Sequence, residues 1–256
     1  MSEPNPASRV ALVTGASSGL GAAIAIAFGR LGWPVALGAR RTKKLDAIAS
    51  QVEEAGGKPF AHALDVTDAA SVDAFASAVE TNLGPPEVVV SNAGIGRAGK
   101  LPELPIEDVE AELDTNLLGP LRLVRRVLPA LLERRGGDLC FVTSLNAVVP
   151  RPLQIGYTAS KAGLEAAVRT LQMELEGSGV RTSIVRPGPS QTEMGWDWAP
   201  ELQKELLDEW RRWGILRHMS FLSPEQVAEA VVTTVTAPPG VHLDLVQINP
   251  AKPRDA

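Results

Sequence analysis

The stretch Thr14-Gly15-Ala16-Ser17-Ser18-Gly19-Leu20-Gly21 holds three glycines in the spacing G-x-x-x-G-x-G. It follows an apolar run at 10–13 and opens a helical pattern in which apolar residues recur at 24, 27, 28 and 31. Glycines allow a tight turn and close approach of a ligand, and a helix N-terminus offers unpaired N–H groups. The stretch therefore predicts a site for a dinucleotide pyrophosphate, although a dinucleotide site more often shows G-x-G-x-x-G. Taken alone, it also fits a plain tight connection from strand to helix.

Outward from this stretch, seven short apolar runs alternate with segments long enough for helices. Such alternation is typical of repeated β-α-β units, so it predicts an α/β, three-layer Rossmann fold. Its sheet is expected to be doubly wound, mostly parallel and seven-stranded, with helices on both faces and strands buried on both sides. The predicted strands lie at 10–13, 35–37, 60–64, 88–90, 139–142, 182–185 and 243–246.

The chain of 256 residues suits one Rossmann-type catalytic domain, because no linker divides it. Residues 1–7 read as a disordered lead-in. Long helices predicted at 118–134 and 157–176 have outer faces that can pack against another subunit. The alternation of predicted strands and helices stops at 191–223. Two helical stretches in this segment are expected to form an insertion over a substrate pocket. This segment contains four tryptophans, Trp196, Trp198, Trp210 and Trp213.

Composition excludes several classes of protein. A net charge of -5 leaves no basic stripe for nucleic acid, and neither a signal peptide nor a membrane-spanning run is expected. The single cysteine, Cys140, lies in an apolar run and cannot form an intramolecular disulfide, which fits a reducing cytoplasm. No metal site is expected, because His62, His218 and His242 are scattered along the chain.

The end of the second predicted strand carries Ala39, Arg40 and Arg41. In a dinucleotide-binding fold this position meets the adenosine ribose, where an acidic group binds the hydroxyl of NAD and a guanidinium binds the 2′-phosphate of NADP. NADP is therefore favoured over NAD. The alternative is that these arginines, with Lys43 and Lys44, form the solvated start of a helix.

The only tyrosine, Tyr157, has Lys161 four residues later, one helical turn away on the same face. A nearby ammonium lowers the pKa of a phenol, which otherwise titrates near about 10. Together with Ser144, the pair predicts proton donation to the oxygen of a carbonyl that receives a hydride. The alternative is a structural tyrosine at a helix start.

Further short motifs follow in order along the chain. They are Asp65-Val66, Ser91-Asn92-Ala93-Gly94, Asn116, Ser144, Tyr157-Thr158-Ala159-Ser160-Lys161 and Pro187-Gly188. With the glycine stretch, they resemble the landmarks of the short-chain dehydrogenase/reductase family, in its single-domain branch of carbonyl reductases and alcohol dehydrogenases. The resemblance covers nearly the whole chain.

The resemblance implies a role for each landmark. Asp65 and Val66 would contact the adenine, Asn92 would brace the strands beside the cofactor, and Pro187-Gly188 with Thr192 would line the nicotinamide. The implied catalytic residues are Asn116, Ser144, Tyr157 and Lys161. Ser144 would orient the substrate oxygen, and Asn116 would support a relay water. The implied cofactor site comprises Gly15, Ser17, Ser18, Gly19, Leu20, Gly21, Arg40, Arg41, Asp65, Val66, Asn92, Ala93, Gly94, Tyr157, Lys161, Pro187, Gly188 and Thr192.

Three departures from the family pattern stand out. Ser91 replaces the usual first asparagine, which leaves Asn92 in place. Ser190 stands where the family often has a small aliphatic residue, and it affects the positioning of the nicotinamide amide. The C-terminus lacks the frequent terminal glycine pair, so the subunit contact that it builds is expected to differ.

We therefore expect an NADP(H)-dependent oxidoreductase that interconverts a hydrophobic ketone or aldehyde and its alcohol, in the cytoplasm, as a homo-oligomer (dimer or tetramer). The expected substrate pocket comprises Ser144, Asn146, Leu153, Met194, Trp196 and Trp198. Packing of these aromatic residues as ordinary core between helices is equally consistent with the sequence.

Two other functions remain open from the sequence. A 3-oxoacyl-(acyl carrier protein) reductase would need a basic docking patch, for which Arg125, Arg126, Arg134 and Arg135 are candidates, although arginines on a helix surface are often only solvated. A non-catalytic NADP-binding regulator is the third hypothesis. The intact Ser144, Tyr157 and Lys161 set argues against it, because binding alone does not require an acid.

Overall fold

A computed structural model describes residues 8–195, 198–216 and 218–252. Its centre is a parallel sheet of seven strands in the order β3-β2-β1-β4-β5-β6-β7. The chain winds outward from β1 to β3 and then returns to build β4 to β7 on the other side. The strands are β1 Ala11–Thr14, β2 Pro34–Ala39, β3 Lys58–Ala63, β4 Val88–Ser91, β5 Gly137–Val142, β6 Val180–Pro187 and β7 Leu245–Ile248.

Helices cover both faces of this sheet. They are α1 Gly19–Arg30, α2 Thr42–Glu54, α3 Ala69–Asn82, α4 Ile106–Leu113, α5 Gly119–Arg134, α6 Ile155–Glu174, α7 Pro200–Arg212 and α8 Pro224–Val235. One buried core packs α1, α2 and α8 on the sheet through side chains such as Phe28 and Val231. The other packs α3, α5 and α6 through side chains such as Phe75 and Leu164. The predicted three-layer, doubly wound fold is confirmed.

Burial differs between central and edge strands. Every residue of β1 and β4 is buried, as predicted, but β3 and β7 are mostly half-buried. The expectation that all strands are buried on both sides is wrong for these two, because an edge strand has a neighbour on one side only.

The described part of the segment 191–223 contains one helix, α7, whereas the sequence pattern predicts two helical stretches. Gly214 ends that helical region with a left-handed backbone (φ +66°), and the next helix starts only at Pro224. Trp210 is buried and Trp213 is 66% exposed. Trp196 lies outside the described residues. Within the described part of the chain, no helix has the length and apolar character needed to cross a membrane.

Candidate active site

A cleft of about 950 Å³ opens at the carboxyl ends of the strands, where the strand order reverses between β1 and β4. Ligands bind at this switch point in doubly wound sheets. The cleft is lined by most residues of the predicted cofactor and substrate sets, namely Gly15, Ser17, Ser18, Gly19, Leu20, Arg40, Arg41, Asp65, Val66, Asn92, Ala93, Gly94, Ser144, Asn146, Tyr157, Lys161, Pro187, Gly188, Thr192, Met194 and Trp198. One cavity therefore gathers residues that are far apart in the chain.

The glycine stretch forms the floor of one end of the cleft. Gly15 and Gly19 have positive φ angles of 67° and 54°, and a Cβ at Gly15 would lie 2.8 Å from Cα of Ala93. Gly21 lies beneath the turn, where a Cβ would overlap the carbonyl oxygen of Gly15. Ser18 at the start of α1 makes no side-chain capping bond, so the first N–H groups of α1 are left for a ligand. An open, uncapped helix start fits a pyrophosphate.

The ends of β1 and β4 are joined next to this turn. The Thr14 hydroxyl oxygen accepts hydrogen bonds from the amides of Asn92 and Ala93, both at 3.0 Å. The Asn92 side chain donates in return to the carbonyl oxygen of Thr14 at 3.0 Å. Asn92 thus connects the two strands between which the cleft opens.

Basic side chains stand beside the glycine stretch at the same end of the cleft. Arg41 donates to the Ser17 hydroxyl from Nη2 at 3.0 Å and to Glu193 from Nη1 at 2.9 Å. Lys44 also contacts Glu193, with its Nζ 3.0 Å from Oε1. Hydrogen bonds from these two cations lower the pKa of Glu193 to about 2. Asp65 lies nearby, where burial raises its pKa, but two hydrogen bonds from Thr67 and the charges of Arg40 and Arg122 together leave it below the ordinary value.

Tyr157, Ser144 and Lys161 meet at the opposite end. Tyr157 and Lys161 share one face of α6, with Nζ 5.8 Å from the phenol ring centroid. Ser144 follows β5, where its hydroxyl donates to Oδ1 of Asn146 at 3.3 Å and is close enough to Tyr157 to lower the pKa of its phenol. The buried Lys161 Nζ donates to the carbonyl oxygen of Val142 at 3.1 Å. Strand β5 and helix α6 together hold all three groups.

The electrostatics of this cluster differ from the expectation. Removal from bulk water raises the pKa of Tyr157, and the Ser144 hydrogen bond and the Arg151 cation offset this only in part. Burial also lowers the pKa of Lys161 to about 8. The expected lowering of the Tyr157 pKa by Lys161 is therefore wrong in this structure. The cation that favours the phenolate here is Arg151.

Asn116 lies behind the cleft lining and not in it. It belongs to a π-helical turn, Asp114–Leu118, that joins α4 to α5. Its amide accepts from the Ile95 amide at 2.8 Å and donates to the Ile95 carbonyl oxygen at 2.9 Å and to the Ser160 hydroxyl at 3.0 Å. A Cβ at Gly94 would lie 3.2 Å from the Asn116 oxygen and 3.6 Å from Lys161 Nζ. Asn116 thus supports the loop next to Lys161.

The remaining wall of the cleft is formed by α7 and the loop before α6. The guanidinium carbon of Arg151 lies 4.2 Å from the ring centroid of Trp210. Apolar lining comes from Met194, Trp198, Leu206, Leu207 and Phe221. Leu153 was expected in this pocket, but it does not line the cleft. Its backbone is left-handed (φ 65°), and its carbonyl oxygen accepts from Gly99, while Arg151 and Gln154 line the cleft on either side of it.

The sequence profile of the short chain dehydrogenase family matches residues 9–203, more than half of the chain. The chain belongs to the short chain dehydrogenase family. Among relatives, a short chain dehydrogenase of Pseudocercospora fijiensis is 37% identical over 73% of this chain, which spans 61% of that protein's length. A 3-oxoacyl-(acyl-carrier-protein) reductase of Thermotoga maritima is 32% identical over 88% of this chain and 89% of its own.

Solved structures of family members have the same fold. An alcohol dehydrogenase of Thermococcus sibiricus, solved with 5-hydroxy-NADP, is 34% identical with a TM-score of 0.81 over 94% of this chain and 95% of its own. A metagenomic short-chain oxidoreductase, solved with NADP, is 30% identical with a TM-score of 0.81 over 98% of this chain and 100% of its own. These likenesses confirm the predicted family and the oxidoreductase class.

Three residues in or behind this site were not predicted from the sequence. Arg151 carried no signal, because an arginine in a loop is usually solvated. Glu193 lies in the predicted insertion, but nothing in the local sequence distinguishes it from a solvent-exposed carboxylate. Glu112 is fully buried, and its burial raises its pKa to about 7. Its position in a helix of mixed polarity did not reveal that burial.

Proposed function

We propose that this oxidoreductase uses NADP(H) to interconvert a carbonyl compound and its alcohol, with Tyr157 as the general acid or base. The observation that carries the proposal is the single cleft that has the uncapped start of α1 and Arg41 at one end and the Ser144, Tyr157 and Lys161 cluster at the other. Both solved relatives described above hold an NADP-type dinucleotide.

The cofactor would be held along the floor of the cleft. The α1 N-terminus and the glycine turn would receive the pyrophosphate, and Arg41, Arg40 and Lys44 would surround the 2′-phosphate. Asp65 and Val66 would border the adenine, and Pro187, Gly188 and Thr192 the nicotinamide. When bound, NADPH supplies the hydride for the carbonyl carbon.

Ser144 and Tyr157 would supply hydrogen-bond donors to the carbonyl oxygen, and Tyr157 would also supply the proton. Ser144 is close enough to Tyr157 to act on its pKa, so a substrate oxygen beside the two hydroxyls would accept from both as negative charge develops on it. The raised pKa of Tyr157 keeps the phenol protonated at neutral pH, which is the form required for proton donation during reduction. Alcohol oxidation would require the phenolate, which Arg151 favours. Lys161, whose Nζ lies 5.8 Å from the Tyr157 ring centroid, would hold the nicotinamide ribose.

Initial rates of NADPH and NADH oxidation across aryl ketones, aliphatic ketones, aldehydes and acetoacetyl thioesters test this proposal. Tyr157→Phe should lose roughly a hundred- to ten-thousand-fold in turnover because it removes the acid. Its affinity for NADPH, measured by fluorescence titration, should stay close to that of the unmodified enzyme. Turnover unchanged in the variant would remove Tyr157 from the mechanism.

A 3-oxoacyl-(acyl carrier protein) reductase is the second candidate, favoured by the Thermotoga maritima relative. The proposed docking patch is weakened by pairing within the molecule. Arg126 contacts Glu80 at 2.9 Å, and Arg134 contacts Glu87 at 2.6 Å. Preference for acetoacetyl thioesters in the panel would favour this candidate. A non-catalytic regulator remains the third hypothesis, and turnover of any carbonyl would exclude it.

We further propose that the chain forms one catalytic domain and assembles as a homo-oligomer in the cytoplasm. Exposed apolar side chains at Leu132 on α5 and Met173 on α6 support subunit contact through these helices. Sedimentation equilibrium would distinguish a monomer from a dimer or tetramer.

A further inference from the structure

The wall of the cleft next to Tyr157 contains two buried hydrogen-bond donors that find no acceptor in the described part of the chain. Arg151 is 9% exposed and Trp210 is 8% exposed, and both line the cleft. Arg151 Nε and Trp210 Nε1 have no hydrogen-bond partner among the residues that the structure describes. Buried polar groups are nearly always hydrogen-bonded, and an unpaired buried donor on a charged group is unfavourable. Among the described residues, these two donors therefore have no acceptor.

The missing acceptor is best supplied by an anion. Burial lowers the pKa of Arg151 only to about 10, so the guanidinium remains a cation at neutral pH. No ion pair between described residues involves Arg151. Arginine and indole N–H groups donate and never accept, so a group with only acceptor atoms complements both. A planar carboxylate meets this requirement and matches the guanidinium geometry.

Arg151 stands close to the proposed chemistry. It follows Ser144 by seven residues and precedes Tyr157 by six. Arg151, Ser144 and Tyr157 line the same cleft, and the Arg151 cation favours the Tyr157 phenolate. A carboxylate on Arg151 and a carbonyl beside Tyr157 would therefore lie within one small molecule. Leu206, Leu207 and Phe221 provide an apolar surface for the rest of that molecule.

We propose that Arg151, assisted by the Trp210 indole, binds the carboxylate of an oxo acid with a hydrophobic body. The inference rests on the proposed carbonyl reduction and names the substrate class of the same site. It changes the expectation from a purely hydrophobic ketone to a ketone that carries an acid group. Arg151 would thus determine specificity, while Ser144 and Tyr157 act on the carbonyl.

Matched pairs of substrates test this assignment. Benzoylformate and benzoylpropionate would each be compared with their methyl esters, which keep the carbonyl and the aromatic ring but lose the charge. We expect kcat/KM for the better acid to exceed that of its ester by roughly ten- to a hundred-fold, as for hydrogen bonds to a charged group. An ester that is used as well as its acid would overturn the assignment.

Variants separate carboxylate binding from a structural role. Arg151→Gln should remove most of the acid preference with a much smaller loss on the ester, and Arg151→Lys should keep part of it. Trp210→Phe, which keeps the aromatic ring but loses the N–H donor, should raise KM for the acid a few-fold. Arg169→Gln, on the exposed face of α6, is the matched control and should leave the acid-to-ester ratio unchanged. Equal losses on acid and ester in Arg151→Gln would mean a structural role.

Calorimetric titration with benzoate keeps the test independent of turnover. Benzoate should bind the NADP-loaded enzyme, and Arg151→Gln should abolish that binding, whereas benzamide should bind neither. Reduction of ketones and esters without any preference for acids would overturn this inference and leave the proposed function standing. If no carbonyl substrate were reduced but benzoate still bound only when Arg151 is present, the proposed reaction would be overturned and the carboxylate site would be supported.

Discussion

Glu112 is a buried carboxylate behind the catalytic helix. It is 0% exposed, and one oxygen accepts from the Arg97 amide at 2.8 Å. Its other oxygen has no partner among the described residues and lies against Gly156, where a Cβ would overlap it. Burial therefore raises the pKa of Glu112 from 4.5 to about 7. A residue that sequence patterns place in an amphipathic helix acts as a titratable group in the core.

This pKa predicts that stability falls as the pH rises. Between pH 4.5 and about 7 the folded chain keeps the Glu112 proton while the unfolded chain releases it. The free energy of unfolding should drop by about 3 kcal/mol across that window and stay low above it. Glu112→Gln, which cannot titrate, should remove most of this slope in urea unfolding curves measured from pH 5 to pH 8.

Glu110→Gln provides the control for that measurement. Glu110 is exposed on the same helix, so its replacement should leave the slope as it is. If the unmodified protein and Glu112→Gln showed the same pH dependence, Glu112 would be ionised in the fold.

Arg41 is the basic side chain that contacts the glycine stretch directly. Arg41→Ala should weaken NADPH binding by roughly ten- to a hundred-fold, because a charged hydrogen bond to the 2′-phosphate is lost. The effect on NADH should be much smaller, and paired fluorescence titrations measure both. Arg40→Ala should show the same direction, since Arg40 also lines the cleft. Equal losses for both nucleotides would mean that Arg41 only supports Ser17.

At the scale of elements, the segment after β6 reaches across the cofactor cleft. It starts at Gly188, directly after Pro187 ends β6, and carries Glu193 further on, where Glu193 contacts Arg41 and Lys44. Thr192 lies above Gly19, with 3.9 Å between its Cβ and a Cβ built on that glycine. In the proposed cofactor site the same two cations would bind the 2′-phosphate, so Glu193 and the phosphate would compete for them.

Glu193→Gln should therefore strengthen NADPH binding by roughly two- to five-fold, the range of partly exposed ion pairs. NADH, which lacks the 2′-phosphate, should bind with nearly unchanged affinity. Fluorescence titration with each nucleotide measures this difference. Glu201→Gln, an exposed carboxylate in the first turn of α7, serves as the control. Weaker NADPH binding in Glu193→Gln would show that the carboxylate assists the bound cofactor.

At the scale of the whole molecule, one buried ion pair ties the site to the sheet. Glu165 on α6 accepts from Nε of Arg186 on β6 at 2.8 Å and from the Thr143 hydroxyl at 2.8 Å. Both charged side chains are less than one tenth exposed, at 6% and 7%. Thr143 precedes Ser144, so the pair joins the helix of Tyr157 to the strand ends that frame the cleft.

Glu165→Gln should lower the free energy of unfolding by about 3 to 5 kcal/mol, because it leaves Arg186 buried without its counter-charge. Urea unfolding at neutral pH measures this change. The double variant Glu165→Met, Arg186→Met should recover most of the stability, since it removes both charges together. Asp208→Asn, which breaks an exposed pair with Arg211, should cost less than about 1 kcal/mol. A small effect of Glu165→Gln would mean that water reaches the pair.

The architecture, and the residues that meet at the two ends of the cleft, could be predicted from the sequence alone. Apolar runs alternate with helices because each strand of a parallel sheet must be covered, so even β7 was located from its pattern. The glycine stretch could be identified because close backbone approach excludes a Cβ, and Tyr157 and Lys161 because a helix turn brings residues four apart together.

The protonation states of the site residues could not be predicted from the sequence. The pKa of Tyr157 depends on how much water the fold removes and on Arg151, which no local pattern links to it. The contact between Arg151 and Trp210 joins positions 59 residues apart in the chain. The physical reason is that local patterns report steric needs of the backbone, whereas burial and electrostatic pairing arise only when distant segments pack against each other.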